Sequence, residues 1–149
     1  MEVHRMKRRM KTALEIAKIW LGYKPYFTRE IEAKLKLHGY LPTEIKPAIK
    51  TLTDELVLND ETYFKSYIEY MQLTLKWGPK KIVDKLVYKG FSRTEAQAKV
   101  KQYYQVEAEE EILKAAIEKV KDRYSDDEKS KRKIDVYLYN RGFGNTKRK

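Results

Sequence analysis

The sequence predicts an all-α protein built from tandem three-helix repeats. Two observations support this prediction: one spacing of aliphatic, glycine and aromatic residues occurs three times, and no stretch alternates apolar and polar residues for long enough to propose a strand. All six glycines and four prolines also fall at or near proposed helix joins. We therefore expect helices and short turns along the whole chain of 149 residues.

The repeated spacing consists of two aliphatic residues four apart, a glycine four residues later and then an aromatic residue. Its glycines lie 51 and then 52 residues apart, so the repeat unit has about fifty residues. We predict three equivalent short helices, each with a buried aliphatic pair and each ended by a glycine with left-handed backbone conformation. The three copies are Ile31, Leu35, Gly39 and Tyr40; Ile82, Leu86, Gly90 and Phe91; and Ile134, Leu138, Gly142 and Phe143.

The first repeat, about residues 12–57, begins with an amphipathic helix that ends near Gly22. Thr28 is the predicted N-cap of its short helix. Pro42 and Pro47 leave the start of the third helix open, and because proline removes a backbone donor, we expect Pro47 to disturb this helix. That helix otherwise keeps an aliphatic residue at helical intervals, at Ile45, Ile49, Leu52 and Leu56.

The second repeat, about residues 58–106, opens at Asn59-Asp60, residues that can cap a helix. Gly78-Pro79 ends this helix and starts the short one, because proline at the first helical position loses no hydrogen bond. Ser92 and Glu95 form a capping box that begins the third helix. The buried face of the first helix is predicted to carry Phe64, Ile68, Met71 and Leu75.

The third repeat, about residues 107–149, starts among carboxylates at Glu107 and Glu109 to Glu111, which favour a helix N-terminus. Ser125 with Glu128 offers a capping box before its short helix. Few residues follow Phe143, so a closing third helix has almost no sequence to form it. All three repeats belong to one array over residues 1–149.

The net charge of +11 is unevenly distributed. Residues 1–50 hold 12 Lys and Arg against 5 Asp and Glu, whereas residues 51–105 and 106–149 each carry a net charge of +2. A basic excess favours binding to nucleic acid or to an acidic protein surface. Two interpretations of the N-terminus stay open, a phosphate-contacting arm and a solvated end, and its cations are Arg5, Lys7, Arg8 and Arg9.

The sequence contains no pattern typical of an enzyme. It has no cysteine, which excludes disulfides and thiolate metal sites and leaves the cytoplasm as the default location. His4 and His38 have no partner at metal-ligand spacing, and the acidic clusters are better interpreted as helix starts than as divalent-ion sites. We expect no catalytic residue, metal or cofactor, and no apolar run reaches the ~20 residues of a membrane span.

Lys81, Lys85 and Lys89 recur every four residues on the second short helix, with Lys80 beside them. Like charges at this interval slightly destabilise a helix, so the ridge suggests an acidic partner, although a solvated face is the commoner explanation for a lysine row. We expect the ridge to point away from the buried pair of its helix. The third repeat has Lys131, Arg132, Lys133 and Arg141 around its equivalent helix, whereas the first has Glu30, Glu32, Lys34 and Lys36.

At these residues the sequence resembles the RecX family, small bacterial regulators of the recombinase RecA. The matching segments run from Asn59 to Phe64, from Gly78 to Gly90 and from Tyr137 to Phe143. Each is mainly an apolar helical interval with a glycine or aromatic residue, but three in order at the right distances are fairly specific. The resemblance covers nearly the whole chain, with residues 1–12 outside it.

The resemblance implies an elongated, curved array that binds in the helical groove of the RecA filament on single-stranded DNA. It implies modulation, chiefly inhibition, of RecA in recombination, DNA repair and the SOS response, by a monomer without a cofactor. Pro47 and the short third repeat depart from the family pattern, so the chain is either a fragment or a short member. The cations that would face RecA, DNA phosphates or both are those of the N-terminus together with Lys80, Lys81, Lys85, Lys89, Arg93, Lys131, Arg132, Lys133 and Arg141.

The alternative is a helix-turn-helix protein that binds nucleic acid by itself, because such domains also contain three helices with a short middle one. Direct base readout needs an exposed face rich in Arg, Asn and Gln. The nearest candidate is the third helix of the second repeat, which would expose Arg93, Gln97, Lys99, Lys101 and Gln102.

Overall fold

The computed structural model describes residues 11–121 and 128–143. Within these ranges the chain forms α-helices and no strand, which confirms the predicted all-α class. A π-helical segment, Tyr70–Thr74, follows the fourth helix. The eight α-helices are α1 (Ala13–Tyr23), α2 (Thr28–Leu37), α3 (Pro42–Asp54), α4 (Asp60–Glu69), α5 (Pro79–Tyr88), α6 (Arg93–Tyr103), α7 (Val106–Lys121) and α8 (Glu128–Asn140).

The chain divides into two compact units, Met1–Tyr63 and Phe64–Lys149. The boundary falls inside α4, close to the predicted start of the second repeat at residue 58. The finer division into three repeats, with a boundary near residue 106, stays a prediction.

The three short helices α2, α5 and α8 end in the same hydrogen-bonded cap. Gly39, Gly90 and Gly142 have φ values of 89°, 109° and 91°, so the predicted left-handed conformation is confirmed at all three. Each glycine N–H donates to the carbonyl three residues earlier, at 2.9 to 3.1 Å. The next residue donates to the carbonyl five residues earlier, and this pair of bonds defines a Schellman motif. The second bonds are Tyr40 to Leu35 at 3.1 Å, Phe91 to Leu86 at 3.2 Å and Phe143 to Leu138 at 3.1 Å.

The residues of the repeated spacing are buried, as predicted. The two residues of each aliphatic pair are at most 4% exposed, and the aromatic residue after each glycine is 6% or 7% exposed. Burying the aromatic ring beside the aliphatic pair stabilises the left-handed cap, because the contact forms only when the chain turns back at the glycine.

The start of α2 lies one residue earlier than predicted. Phe27, not Thr28, is the N-cap residue, and its N–H donates to Glu30 Oε1 at 2.8 Å. Thr28 is the first helical residue, and both its N–H and its hydroxyl donate to Asp60 Oδ1, at 2.8 and 3.0 Å. A carboxylate at the start of α4 therefore satisfies the first amide of α2, which sequence spacing could not indicate.

The expectation that proline disturbs the third helix is wrong. Helix α3 runs without interruption from Pro42, at its first position, through Pro47 to Asp54. Pro47 removes only the donor that would bond the carbonyl of Thr43, and both residues lie on the exposed side of the helix. Water can hydrogen-bond that carbonyl, so the helix continues.

Leu56 also differs from the prediction, since it lies beyond α3 and is 73% exposed. It adopts a left-handed conformation with φ 60°, and the next N–H, of Val57, donates to the Leu52 carbonyl at 2.9 Å. Leucine thus occupies the position that glycine holds in the other caps. Leu58, 2% exposed, fills the core in its place.

The first helix of the second repeat begins as predicted, with Asn59 Oδ1 accepting the N–H of Thr62 at 3.2 Å. Phe64, Ile68 and Met71 are buried, at 3%, 0% and 1% exposure. Beyond Glu69 the helix widens into the π-helical segment, and Leu75 is only partly buried. The predicted α-helical interval therefore fails in its last turn.

The second unit also contains a small apolar cluster between α7 and α8. Ile112, Ile134, Leu138 and Phe143 form its buried core, with Ala116 and Tyr137 packed against it. Ser92 caps α6 as predicted, because its Oγ accepts the N–H of Glu95 at 3.1 Å. The predicted N-terminal arm, the capping box at Ser125 and the residues after Phe143 lie outside the described residues.

Candidate partner-binding site

Helix α5 and its C-cap carry four of the predicted partner-binding cations, and the end of α8 holds the N-terminus of α5 in place. The Gly78 N–H donates to the Arg141 carbonyl at 2.6 Å, and the Lys80 N–H donates to the Gly142 carbonyl at 3.0 Å. These bonds satisfy donors that a helix N-terminus leaves without an intrahelical partner. The start of α5 is therefore capped by backbone carbonyls more than sixty positions later in the sequence.

This capping requires a close approach of two glycines. A Cβ at Gly78 would meet the backbone of Gly142 and would lie 2.8 Å from Cδ1 of Phe143. A Cβ at Gly142 would collide with the backbone of Lys81. Gly142 thus has two constraints, its left-handed φ and its contact with α5, so the cap of α8 also positions Lys81.

We define the lysine row as Lys81, Lys85 and Lys89. All three side chains are half-buried, whereas Asp84 and Tyr88 on the same helix are exposed, Tyr88 by 86%. The row therefore runs along the edge of the buried face, and the expectation that it points away from the core is wrong. Long lysine stems can cover apolar surface in this position while the ammonium group reaches water.

Each ammonium group of the lysine row lies near the face of an aromatic ring. The distances from Nζ to the ring centroid are 4.2 Å for Lys81 over Trp77, 5.6 Å for Lys85 over Tyr88 and 5.2 Å for Lys89 over Tyr67. Such contacts stabilise an exposed cation by about 0.5–1 kcal/mol and restrict its position. The row is consequently a set of oriented charges alternating with aromatic rings.

Lys80 of α5 and Arg93 of α6 lie away from the lysine row, on the side of α5 that faces α6. Both line a groove between α5 and α6, and Arg93 Nη1 is 3.1 Å from Oδ1 of Asp84. Lys80 Nζ also lies 5.9 Å from the ring centroid of Tyr139 on α8. The structure therefore separates the predicted partner-binding cations of the second repeat into two sets, the lysine row and the groove-lining Lys80 and Arg93.

The predicted cations of the third repeat fall into two groups. Lys131, Arg132 and Lys133 are exposed on α8. Arg141 is half-buried, its Nη1 donates to the Leu75 carbonyl at 3.2 Å, and its guanidinium carbon lies 4.9 Å from the ring centroid of Tyr137. Arg141 thus bonds the chain just after the π-helical segment, a role that sequence reasoning did not foresee.

Gln72 is a second residue that sequence reasoning missed. It lies in the π-helical segment and is fully buried, at 0% exposure. Its Nε2 donates to the Gln105 carbonyl at 2.7 Å, and its Oε1 accepts the Gln105 N–H at 2.8 Å. A glutamine at an otherwise apolar position of the helix was the available signal, because a buried amide needs partners.

Two titratable groups lie close to this pair. Burial raises the pKa of the Tyr104 hydroxyl, and the charge of Glu109 raises it further. Burial likewise raises the pKa of Glu109, while the nearby Tyr104 hydroxyl acts in the opposite direction. Both shifts follow from partial burial at the join of α6 and α7.

The described residues contain no group of three or more His, Asp or Glu side chains that could hold a metal ion. Among them there is also no helix whose length and apolar content suit a membrane crossing. The arrangement of oriented cations and rings is suited to binding an anionic surface.

Comparison with known proteins supports a single family. No family model matches the chain. Regulatory protein RecX of Caldanaerobacter subterraneus subsp. tengcongensis is 27% identical over 123 residues, which cover 83% of this chain and 60% of that protein. Regulatory protein RecX of Prosthecochloris aestuarii is 26% identical over 133 residues, 89% of this chain and 86% of that protein.

Solved structures agree with the sequence relatives. The crystal structure of RecX from Lactobacillus salivarius matches with a TM-score of 0.79 and 27% identity over 96% of this chain and 91% of that one. These matches support assignment of the chain to the RecX family. A second RecX crystal structure matches with a TM-score of 0.72 and 25% identity, over 89% of this chain and 66% of that one.

The matches bear out the family resemblance of the sequence, and both sequence relatives are named regulatory proteins. The chain spans 60% of the length of the Caldanaerobacter RecX and 86% of that of Prosthecochloris.

Proposed function

We propose that this chain binds the RecA filament in its helical groove and restrains RecA activity in recombination and DNA repair. Similarity to RecX proteins supports RecA as the partner, because regulation of RecA is what the RecX resemblance implies. The lysine row is the observation that favours a specific contact surface. Three cations at helical intervals, each oriented by an aromatic ring, form a surface suited to acidic protein side chains or to phosphates.

Two observations make the lysine row a better candidate than Arg93 and Arg141. Each ammonium group of the row lies over an aromatic ring, whereas the guanidinium group of Arg93 is paired with Asp84. Arg141 is bonded to the Leu75 carbonyl, so its replacement would also disturb the fold. Lys131, Arg132 and Lys133 are exposed on α8 and form an auxiliary contact in this proposal, as do the N-terminal cations outside the described residues.

The test is cosedimentation of the chain with RecA filaments on single-stranded DNA. The variant Lys81→Glu, Lys85→Glu and Lys89→Glu should weaken binding by about tenfold or more, because it places three carboxylates against an acidic surface. A matched control reverses Lys65, Lys114 and Lys119, three exposed lysines of the same unit, and should bind almost as tightly as the unmodified chain. Circular dichroism should show the same helix content in all three proteins.

Salt dependence separates protein from DNA contacts. If the row contacts DNA phosphates, binding to naked single-stranded DNA should fall with salt, and the slope should decrease by about one for each lost contact. If the row contacts RecA, the triple variant should lose filament binding while its DNA affinity barely changes. Full filament binding by the triple variant would refute the row as the contact surface.

The helix-turn-helix alternative makes a different prediction in the same assay. It requires α6 to present its polar side chains to bases, but Arg93 is paired with Asp84 and Lys99 Nζ lies 5.2 Å from the ring centroid of Phe64. Sequence-selective binding to duplex DNA, without filament binding by the unmodified chain, would favour that alternative.

A further inference from the structure

Two grooves in this chain occupy equivalent positions in the first and second repeats. The first groove lies between α2 and α3 and has a volume of about 590 Å³. The second groove lies between α5 and α6 and has a volume of about 280 Å³. Each is formed within one compact unit.

The equivalence of the two grooves follows from the 51-residue spacing between Gly39 and Gly90. Adding 51 to six of the eight residues lining the first groove gives residues lining the second: 29, 32, 33, 42, 46 and 49 become 80, 83, 84, 93, 97 and 100. The same pair of helices forms the groove in each repeat. The groove is therefore a feature of the repeated structure.

The floor of each groove is aliphatic. In the first groove Ile45 is 7% exposed and Ile49 is half-buried. In the second groove Val83 and Val100 are 7% and 3% exposed. An occupant that offers only sugars and phosphates would leave these side chains without an apolar partner, whereas an aliphatic side chain would bury them.

The rim of each groove is basic, with three cations against one carboxylate. Arg29, Lys36 and Lys46 face Glu32 in the first groove, and Lys80, Arg93 and Lys101 face Asp84 in the second. The balance is therefore +2 at each groove, and every one of these eight side chains is exposed. A carboxylate in the rim disfavours a continuous phosphate backbone but can be accommodated by a peptide whose acidic groups are spaced apart.

We propose that each groove binds a short acidic peptide segment that carries aliphatic side chains, supplied by the partner protein. The aliphatic side chains enter the groove and the acidic groups contact the rim cations. The proposal rests on the filament binding proposed above, and it extends the contact surface beyond the lysine row. Two equivalent grooves would allow one chain to hold the same segment of two neighbouring subunits, since a filament repeats its surface.

Photocrosslinking tests the identity of the occupant. A benzoylphenylalanine is placed at Lys46 or at Gln97, which are equivalent exposed rim positions of the two grooves. The control position is Thr43, which lines a different cavity on the opposite face of α3. With RecA filaments on single-stranded DNA, both groove positions should crosslink to the same acidic, aliphatic-bearing RecA peptide, and Thr43 should not.

Groove filling tests whether occupation is required. Ala33→Trp and Asp84→Trp occupy equivalent exposed positions of the two grooves, and each should weaken filament binding by about tenfold, as expected for loss of an anchoring contact. Thr43→Trp should not. Asp84→Trp is the more informative variant, because it removes a carboxylate and makes the rim more positive. General attraction to an anion would then become stronger. Weaker filament binding by this variant would therefore show that the partner occupies the groove itself.

The outcomes separate this inference from the proposed function. Crosslinks to DNA alone, crosslinks to peptides without acidic residues, or unchanged binding by both tryptophan variants would overturn the groove assignment while filament binding stands. Failure of the unmodified chain to cosediment with filaments would refute the proposed function and the groove assignment together.

Discussion

Helices α2 and α5 have the same buried framework and different surfaces. In both, the aliphatic pair is completely buried and a left-handed glycine ends the helix. The surface of α2, however, carries both acidic and basic residues, and Lys34 Nζ is 3.1 Å from the hydroxyl of Tyr26 and 4.5 Å from the ring centroid of Trp20. On α5 the corresponding edge carries the lysine row.

The comparison separates residues that the fold requires from residues that it does not require. The aliphatic pair and its cap occur in every repeat, because without them the short helix has neither a buried face nor an end. The lysine row occurs on only one of these two helices, so the fold does not require it. Substitutions in the shared framework should therefore have equal effects in both units. Substitutions at positions where the two helices differ should not.

The largest expected effect is loss of a buried leucine from the shared framework. Leu35→Ala and Leu86→Ala should each lower the free energy of unfolding by about 2–5 kcal/mol, because each removes a side chain that is 0% exposed. Urea denaturation followed by circular dichroism measures the loss. Leu37→Ala, at a position 85% exposed, is the control and should change the free energy little. A small effect at only one of the two buried leucines would show that the framework is not shared.

The second prediction distinguishes the caps. Gly90→Ala should cost about 1 kcal/mol for the left-handed conformation. Gly142→Ala should cost more, about 2–4 kcal/mol in total, because its Cβ also collides with the backbone of Lys81 and overpacking adds about 1–3 kcal/mol. The same urea titration compares the two variants, and equal losses would contradict the close approach of α5 and α8.

Local features of this fold were predictable from sequence, and long-range ones were not. The glycine caps were predicted because all their bonds lie within six residues. The caps of α2 by Asp60 and of α5 by the Arg141 and Gly142 carbonyls depend on residues 32 or more positions away, which no local pattern records. Pro47 was misjudged because the cost of a helical proline depends on whether water reaches the carbonyl that lost its donor.

The candidate site shows the same limit. The interval of four predicted which lysines share an edge of α5, but it could not show that Trp77 and Tyr67 orient two of them. The grooves were not predicted at all, because each forms only when two helices pack. The equivalence of their lining residues was nevertheless implicit in the 51-residue spacing.

The third prediction concerns a position where the two repeats differ. Subtracting 51 from Gln72 gives Leu21, a partly buried leucine near the end of α1. Gln72→Leu should lower the free energy of unfolding by about 1–3 kcal/mol, because it removes two hydrogen bonds and leaves the Gln105 amide and carbonyl without them. Hydrogen exchange should show faster exchange of the Gln105 amide. Leu21→Met, a change of similar volume in the first unit, is the control and should cost less.

The smallest expected effect is a gain in stability at the left-handed leucine. Leu56 has φ 60° and is 73% exposed, so replacing it with glycine relieves backbone strain and loses little buried surface. The left-handed conformation costs a leucine about 1–2 kcal/mol, and the greater freedom of glycine in the unfolded chain offsets up to about 1 kcal/mol of that. Leu56→Gly should therefore raise the free energy of unfolding by up to about 1 kcal/mol, which corresponds to a melting temperature higher by about 2–4 °C at most for a chain of this size. Leu37→Gly is the matched control, a leucine that is also exposed, by 85%, but at a helical position, and it should lower stability by about 1 kcal/mol. If both glycine variants are destabilised alike, Leu56 does not adopt the left-handed conformation that glycine adopts after α2, α5 and α8.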